Sequence, residues 1–312
     1  MTVLVSLGGN AILQQAQRGI AEEQEKNVRN TAQHLVKLMR QGEKIAITHG
    51  NGPQVGNILL QNELSKDTLP PMPLDICGAE SQGMIGYMLE RALRSEMNLQ
   101  GLNMPVTTLV TQTLVSVHDP AFRNPTKPVG RFYTEKQAAD LERSNGWRLV
   151  NDSGRGFRRV VPSPIPLDIL QKETIIRLFN SGTVVISGGG GGVPVTMELD
   201  GEVKGVEAVL DKDRTAALLG NILGVDTLLI LTDVDQVFIN YRKPNQQGLG
   251  KIGLDECKTL LADGQFPSGS MGPKIESAIS FLSKTKGKRV VIARLEKAEE
   301  ALKGTAGSMI VN

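Results

Sequence analysis

The chain has 312 residues, of which 40% are hydrophobic and 22% charged, a balance typical of a globular protein. A net charge of +2 and an aromatic content of 4% argue against nucleic acid as a partner, because they provide neither a basic field nor stacking platforms. The two distant cysteines and three scattered histidines give no zinc-site spacing, and no apolar run reaches the ~18 residues of a membrane span.

The first half of the chain alternates short apolar runs with helical periods. The start, MTVLVSLGGN, is too short for a signal peptide and lacks a basic leader, so we expect a cytoplasmic protein whose first strand is residues 3–7. Apolar residues recurring on one face predict a helix at 22–39, and a second strand is expected at 44–48. Pro53 suits the first turn of the next helix.

A long helix is predicted after Pro73 and ends near Met97. It contains Gly78, Gly83 and Gly86. Glycine in a helix costs about 1 kcal/mol, so these residues need a reason. Close helix packing is the interpretation that we favour, and a subunit interface is the alternative.

Residues 105–115 are predicted to form a third strand, and a segment of different character follows at about 118–166. Prolines lie at both of its ends, a short helix begins at Glu135, and alternating residues predict a hairpin around residues 152–154. We expect this segment to protrude from the main body and to move as a lid.

The second half opens with a buried strand, residues 184–186, followed by five glycines. Further predicted elements are a hairpin at 197–206, a helix from about Asp211, a strand at 226–231, helices at 255–261 and from 269 to 282, and strands at 289–293 and 309–311. Strands that alternate with helices predict an α/β fold with a mainly parallel open sheet and helices on both faces.

Three strands run directly into glycine, in the sequences LGGN, THGNGPQVG and VISGGGGGVPV. Open α/β sheets bind ligands at the carboxyl edge of their strands, so we expect one crevice there. A flexible linker is the alternative for the glycine run, although linkers rarely begin directly after a buried strand. The chain lacks GxxxxGK[ST] and a complete GxGxxG, which excludes a P-loop enzyme and argues against a Rossmann dehydrogenase.

Three lysines occur in unusual contexts. Lys127 lies in a proline-bounded loop, Lys212 lies between two aspartates, and Lys274 lies in the first turn of a predicted helix. Most lysines are solvated surface charges, but a lysine in the first turn opposes the helix dipole, and a bound phosphate would explain that placement. Asp211 and Asp213 either cap their helix or orient lysines and hold Mg²⁺.

Seven motifs resemble those of carbamate kinases, a branch of the amino acid kinase family, in order and in spacing: LGGNA, THGNGPQVG, NPTKPVG, GRGFRRVVPSP, VISGGGGGVPV, AVLDKD and GSMGPKI. The resemblance covers residues 3–311. It implies a three-layer α/β/α sandwich, a small protruding lid subdomain at about 118–166 and a homodimer. It also implies a single domain over 1–312, whose half at about 1–182 binds carbamate and the phosphoryl group and whose half at about 183–312 binds nucleotide.

One departure from the wider family supports this branch. Other amino acid kinases usually carry a lysine just before the first Gly-Gly turn, where this chain has Ser6 and Leu7. Carbamate kinases resemble this chain there and supply the missing charge from the PTKPVG loop.

The resemblance implies reversible phosphoryl transfer with Mg²⁺, in which ATP and carbamate give ADP and carbamoyl phosphate, in the breakdown of arginine or other carbamoyl-yielding compounds. The implied catalytic residues are Lys127, Lys212, Lys274, Asp211 and Asp213. The implied substrate-binding residues are Gly8, Gly9, Asn10, Gly50, Asn51, Gly52, Gly189 and Gly190. The implied nucleotide-binding residues are Asp233, Phe238, Tyr241, Met271, Gly272 and Lys274.

No side-chain cluster is predicted for Mg²⁺, which the nucleotide would carry into the site near Asp211. Carbamate is already an anionic nucleophile, so this chemistry requires no general base. Two alternatives stay open at this point. One is a paralogous kinase for another small carboxylate, and the other is a non-catalytic nucleotide or amino-acid sensor on the same fold.

Overall fold

The computed structural model of the protein describes residues 1–14, 16–152, 156–267, 271–284 and 286–312. Its helices are α1 (Ala21–Arg40), α2 (Gly52–Ser65), α3 (Leu74–Leu99), α4 (Glu135–Asn145), α5 (Lys172–Asn180), α6 (Lys212–Leu223), α7 (Leu254–Ala262), α8 (Met271–Ser283) and α9 (Ala298–Leu302). Its strands are β1 (Thr2–Leu7), β2 (Lys44–His49), β3 (Val106–Thr108), β4 (Gln112–Leu114), β5 (Lys127–Tyr133), β6 (Arg148–Asn151), β7 (Phe157–Val161), β8 (Asp168–Ile169), β9 (Val184–Ile186), β10 (Val193–Met197), β11 (Val203–Gly205), β12 (Thr227–Thr232), β13 (Val237–Ile239), β14 (Gln247–Leu249), β15 (Lys251–Gly253), β16 (Arg289–Arg294) and β17 (Ser308–Val311).

The main sheet is mostly parallel, as predicted. Within the described ranges its eight strands have the order β15-β17-β16-β12-β1-β2-β9-β3. Every neighbouring pair from β16 to β3 is parallel, whereas β17 runs antiparallel to β16. Parallel neighbours need crossover connections, and helices supply them here.

Helices cover both faces of this sheet because its strands are buried on both sides. Val3, Val5 and Leu7 of β1 belong to one core with residues of α1, α3 and α9. Leu4 belongs to a second core with residues of α5, α6, α7 and α8. The two cores on opposite faces confirm the predicted three-layer α/β/α sandwich.

The prediction of a single strand at 105–115 is wrong. β3 joins the main sheet, whereas β4 joins a second sheet with the order β11-β10-β4-β8. Thr111 separates the two strands, because its N–H donates to Gln82 Oε1 at 2.9 Å and its Oγ1 accepts from Gly188 N at 2.9 Å. These side-chain bonds replace the strand ladder at that residue, so the chain leaves the main sheet.

The lid subdomain is a small antiparallel sheet, β5-β7-β6, with α4 packed against it. The predicted hairpin is confirmed in its strands, since Asn151 pairs with Phe157 across β6 and β7, although its turn residues 153–155 lie outside the described residues. The prediction that Lys127 lies in a loop is wrong. Lys127 begins β5 and pairs with Val161 of β7, so its backbone is fixed in a ladder.

Among the described residues, no helix is both long enough and apolar enough to cross a membrane.

Candidate active site

The carboxyl ends of β1, β2, β9 and β12 meet at one edge of the main sheet, and each strand continues into a polar or glycine-rich turn. Gly8 N donates to Leu231 O at 3.0 Å, and Gly50 N donates to Leu7 O at 3.0 Å, so each turn is tied to the end of a neighbouring strand. A Cβ on Gly50 would lie 3.6 Å from Gly9 N. The first two turns are therefore in contact at the edge where the crevice was predicted.

Asp213 is the centre of a charged cluster beside these turns. Its Oδ1 accepts from Lys212 Nζ at 2.6 Å and from Ser6 Oγ at 3.0 Å. Its Oδ2 accepts from Lys274 Nζ at 3.1 Å. The Lys212 side chain also passes the second turn, because a Cβ on Gly50 would lie 3.4 Å from Lys212 Cδ. Two predicted catalytic lysines thus meet at the carboxylate of a third predicted catalytic residue.

Two opposing effects act on the pKa of Asp213, which is 3% exposed. Burial would raise it, but the charges of Lys212 and Lys274 and their hydrogen bonds outweigh burial and hold the pKa of this carboxyl well below its usual range. Asp213 therefore stays ionised at neutral pH. It holds two ammonium groups in place, and groups held in advance need no reorganisation when negative charge develops on a bound substrate.

Asp211 is both a helix cap and a lysine partner, so the two roles considered for it from the sequence coexist. Its Oδ1 accepts from Asp213 N at 3.0 Å and from Arg214 N at 3.4 Å, as an N-cap residue does. Its Oδ2 accepts from Lys127 Nζ at 3.1 Å. The lid strand β5 thereby brings the third predicted lysine to the start of α6, where Lys212 is the first helical residue.

The glycine run 188–192 is buried and forms a tight turn, which excludes the linker alternative. A Cβ on Gly189 would lie 2.4 Å from His49 Nε2, and a Cβ on Gly190 would lie 2.2 Å from Asn51 Nδ2. Glycine is required at 190 for a second reason, because its φ is +64°. The run therefore lets the second turn, with His49 and Asn51, pack directly against the end of β9.

Two side chains of the second turn are fixed by hydrogen bonds. Asn51 Nδ2 donates to Ser81 Oγ of α3 at 2.8 Å, and His49 Nδ1 lies 3.0 Å from Gly50 O, which can only accept. Burial, aided by the charge of Lys212 and opposed by the bond to Gly50, lowers the pKa of His49 to about 4. His49 is therefore neutral at neutral pH and braces the turn.

Asp233 follows β12 and lines a cleft of about 340 Å³ together with Gly8 and Asn10. The strand order thus brings a predicted nucleotide residue beside two predicted substrate residues. Gly9 and Asn10 form a 3-10 turn at this cleft, and Gly52 is the first residue of α2.

The other predicted nucleotide residues lie on two further elements. Phe238 is in β13, and Tyr241 follows that strand with its ring centroid 6.1 Å from that of Phe238. Met271 and Gly272 begin α8, the helix that carries Lys274. The motif residue Gly269 lies outside the described residues.

Reasoning from the sequence missed Ser6 as a site residue. Ser6 Oγ accepts from Lys212 Nζ at 3.0 Å and donates to Asp213 Oδ1 at 3.0 Å, although Ser6 itself is fully buried. Ser6 lies at the position where the family resemblance led us to expect a missing lysine, and it orients Lys212, which α6 supplies. A single hydroxyl within the apolar strand VLVSL was the available signal.

The described side chains fit a metal ion only in part. No group of three or more His, Cys, Asp or Glu side chains converges in the described part of the chain. Both oxygens of Asp213 are bound to lysines, whereas Asp211 uses one oxygen for the helix cap and the other for Lys127. Mg²⁺ usually keeps several waters and binds one or two carboxylates plus substrate phosphates, which this arrangement can accommodate.

Comparison with known proteins agrees with this geometry. The amino acid kinase family model matches residues 1–294. Carbamate kinase from Thermococcus kodakarensis is 48% identical over 99% of this chain and 98% of its own length, and carbamate kinase from Staphylococcus haemolyticus is 47% identical with the same coverage. The structure of carbamate kinase from Giardia lamblia bound to AMP-PNP superimposes with a TM-score of 0.94 and 46% identity, over 99% of this chain and 98% of that one.

Full-length similarity of this strength, in sequence and in structure, identifies the family. The chain belongs to the amino acid kinase family, in its carbamate kinase branch.

Proposed function

We propose that this chain is a carbamate kinase, which transfers a phosphoryl group reversibly between ATP and carbamate and so interconverts these with ADP and carbamoyl phosphate. The observation that carries the proposal is the pairing of Lys212 and Lys274 on the single carboxylate of Asp213, beside the glycine turns of β1 and β2. Relatives named carbamate kinase at 46–48% identity support the same reaction.

The cluster suits phosphoryl transfer for an electrostatic reason. The transferred group carries charge on its equatorial oxygens, and catalysis consists mainly of positioning and charge stabilisation. Lys127, Lys212 and Lys274 face two carboxylates, so the site has one net positive charge to offer. Carbamate is an anionic nucleophile that needs no base, which is consistent with a buried and neutral His49.

ATP or ADP is the nucleotide of the proposed reaction, and a relative was solved with AMP-PNP, an ATP analogue. We infer that the glycine turns at 8–10 and 50–52 and residues Gly189 and Gly190 form the carbamate and phosphoryl side of the site. Asp233, Phe238, Tyr241, Met271 and Gly272 would contact the nucleotide. Mg²⁺ would be held by phosphates with Asp211 nearby, and when bound it would neutralise charge on the β- and γ-phosphate oxygens.

The test is formation of ATP from ADP and carbamoyl phosphate, followed with a coupled hexokinase assay. We expect the full-length protein to catalyse this reaction, with the highest turnover for carbamoyl phosphate among small acyl phosphates. A higher kcat/KM with another acyl phosphate would instead identify the paralogous kinase. Nucleotide binding without any transfer would identify a sensor.

We also propose a physiological direction for the reaction. In the cytoplasm it would run toward ATP, in the breakdown of arginine or other carbamoyl-yielding compounds.

We also propose that the protein is a homodimer that uses the outer face of α3. Ile76, Met84 and Tyr87 are exposed there by 43%, 37% and 61%. Gly86, in contrast, packs inward, because a Cβ there would lie 2.1 Å from Thr108 Cγ2. Close packing thus accounts for Gly86. It does not account for Gly83, because a Cβ there would have no atom within 4 Å.

Light scattering tests this arrangement. We expect a mass of twice 33.7 kDa for the wild-type protein and of about half that for Tyr87→Glu, because a buried charge without a partner is costly. A monomeric wild-type protein, or an unchanged mass for the variant, would contradict an interface at this face.

A further inference from the structure

The strand that carries Lys127 has an unusual attachment to the main body. β5 pairs with β7 at residues 127–129 and again at Tyr133, and the register shifts between these positions, so the strand bulges at 130–132. Gly130 adopts a φ of +70° in the bulge. A Cβ on Gly56 of α2 would lie 3.8 Å from Gly130 Cα, so the helix and the bulge meet backbone to backbone.

The carboxylate of Glu63, on α2, binds two residues of β5, one within the bulge and one directly after it. Glu63 Oε1 accepts from Arg131 Nη2 at 3.2 Å, and Glu63 Oε2 accepts from Tyr133 Oη at 2.6 Å. The Arg131 guanidinium also lies 4.8 Å from the centroid of the Tyr133 ring. The Glu63 side chain is only 17% exposed, so these bonds are partly shielded from water. Burial and Glu63 raise the pKa of Tyr133 to about 12, so its hydroxyl remains a donor.

An apolar cluster continues the same contact toward the site. Val129 of β5 and Val161 of β7 pack with Val55 of α2 and with Cys77 of α3, all buried. α2 begins at Gly52, directly after the second glycine turn, and Glu63 follows 11 residues later, about 16 Å along the helix. One helix therefore connects the glycine turn with the strand whose first residue is Lys127.

We propose that Glu63 is a positioning residue for phosphoryl transfer: it clamps the bulge of β5 to α2 and thereby fixes Lys127 against Asp211. This inference rests on the proposed kinase function. Lys127 Nζ makes its bond to Asp211 at 3.1 Å from the first residue of the clamped strand. Loosening the strand displaces that ammonium group, and a displacement of about 1 Å can cost on the order of 100-fold in turnover.

The test is a double-mutant cycle between Glu63→Gln and Lys127→Ala, with Glu173→Gln on the exposed face of α5 as the control. Glu63→Gln alone should lower kcat by about 10- to 100-fold and leave the Kd for ADP within about 2-fold. In the Lys127→Ala background the same change should lower kcat by less than about 2-fold, because the group that Glu63 positions is already absent. Tyr133→Phe, which removes only the hydroxyl, should show the same pattern more weakly.

Equal losses of kcat in the two backgrounds would overturn the proposal, as would an unchanged kcat in Glu63→Gln. A second readout does not depend on catalysis. Amide hydrogen exchange of residues 127–133, measured without substrates, should be faster in Glu63→Gln than in the wild type or the Glu173→Gln control. If exchange is faster in Glu63→Gln but the wild type makes no ATP, the clamp exists and the kinase function fails. If the wild type makes ATP but exchange in Glu63→Gln is no faster than in the wild type, the kinase function stands and the clamp fails.

Discussion

At the scale of single residues, Asp213 decides how the lysines of the site are arranged. Two ammonium groups share its carboxylate, one on each oxygen, and Ser6 adds a hydroxyl to the oxygen that Lys212 uses. Removing one lysine therefore does not leave a buried charge alone, because the other lysine still compensates Asp213. Loss of activity and loss of fold can thus be separated in a lysine variant.

We expect Lys274→Ala to lower turnover by about 100- to 1000-fold, as the loss of one fixed donor to a charged transition state does. Circular dichroism should show a folded protein, since Lys212 and Ser6 remain on Asp213. Lys258→Ala removes an exposed lysine paired with Asp255 and should keep normal turnover. Near-normal turnover of Lys274→Ala would refute its catalytic assignment.

His49 makes the stability of the protein depend on pH. The folded pKa is about 4, whereas an unperturbed histidine titrates near pH ~6.5, so the unfolded chain binds the proton first as pH falls. The stabilisation is complete above pH ~6.5 and is lost as the pH falls toward the folded value. At pH 5 the loss is about 2 kcal/mol, since each pKa unit corresponds to about 1.4 kcal/mol.

Urea unfolding at pH 7.5 and pH 5 measures this effect. Between the two conditions the free energy of unfolding of the wild type should fall by about 2 kcal/mol more than that of His49→Gln. His118→Gln, at an exposed position in the lid, should follow the wild type. Equal pH dependence of wild type and His49→Gln would show that His49 does not contribute.

At the scale of elements, the turn 188–192 shows how a glycine run serves packing. Gly190→Ala combines a left-handed φ with a Cβ placed 2.2 Å from Asn51 Nδ2. Gly182→Ala is a matched control, because its φ is +88° but no atom lies within 4 Å of its Cβ position. Backbone strain should cost both variants about 1–2 kcal/mol. The collision with Asn51 should cost Gly190→Ala about 1–3 kcal/mol more and lower its turnover. Equal melting temperatures for the two variants would rule out this collision.

Local patterns in the sequence were sufficient to predict most elements and to place three glycine turns at one edge of the sheet. They were also sufficient to single out Lys212 and Lys274, since both lie at helix starts. They could not show that these lysines share one carboxylate, because that contact joins residues 61 apart and depends on how α8 packs against α6. The buried bond between Ser6 and Asp213 spans 207 residues and was missed for the same reason.

The lid shows a second limit of sequence patterns. Its prolines indicated a loop at Lys127, but pairing with β7 makes this segment the start of a strand. Strand pairing is a tertiary choice, so the flanking prolines were a weak guide. Movement of the lid stays a prediction, and in this structure Lys127 already contacts Asp211.

At the scale of the whole molecule, the site combines groups from distant parts of the chain. The first two glycine turns and Lys127 precede residue 182, whereas Asp211, Asp213 and Lys274 follow it. The ion pair between Lys127 and Asp211 joins the two halves across a separation of 84 residues. The assignment of nucleotide binding to the second half stays a prediction. It can be tested through Lys127, which reaches the site from the lid.

We expect Lys127→Ala to lower turnover strongly while changing ADP affinity little, because the nucleotide would be held by residues after 182. Loss of one cation should reduce kcat by about 100-fold or more, and isothermal titration should give a Kd for ADP within a few-fold of the wild type. Lys136→Ala removes an exposed lysine of α4 in the same subdomain and should leave both quantities unchanged. A parallel loss of ADP binding in Lys127→Ala would place this lysine in the nucleotide site. The lid would then close on the nucleotide, and delivery of Lys127 to the transferred phosphoryl group would be refuted.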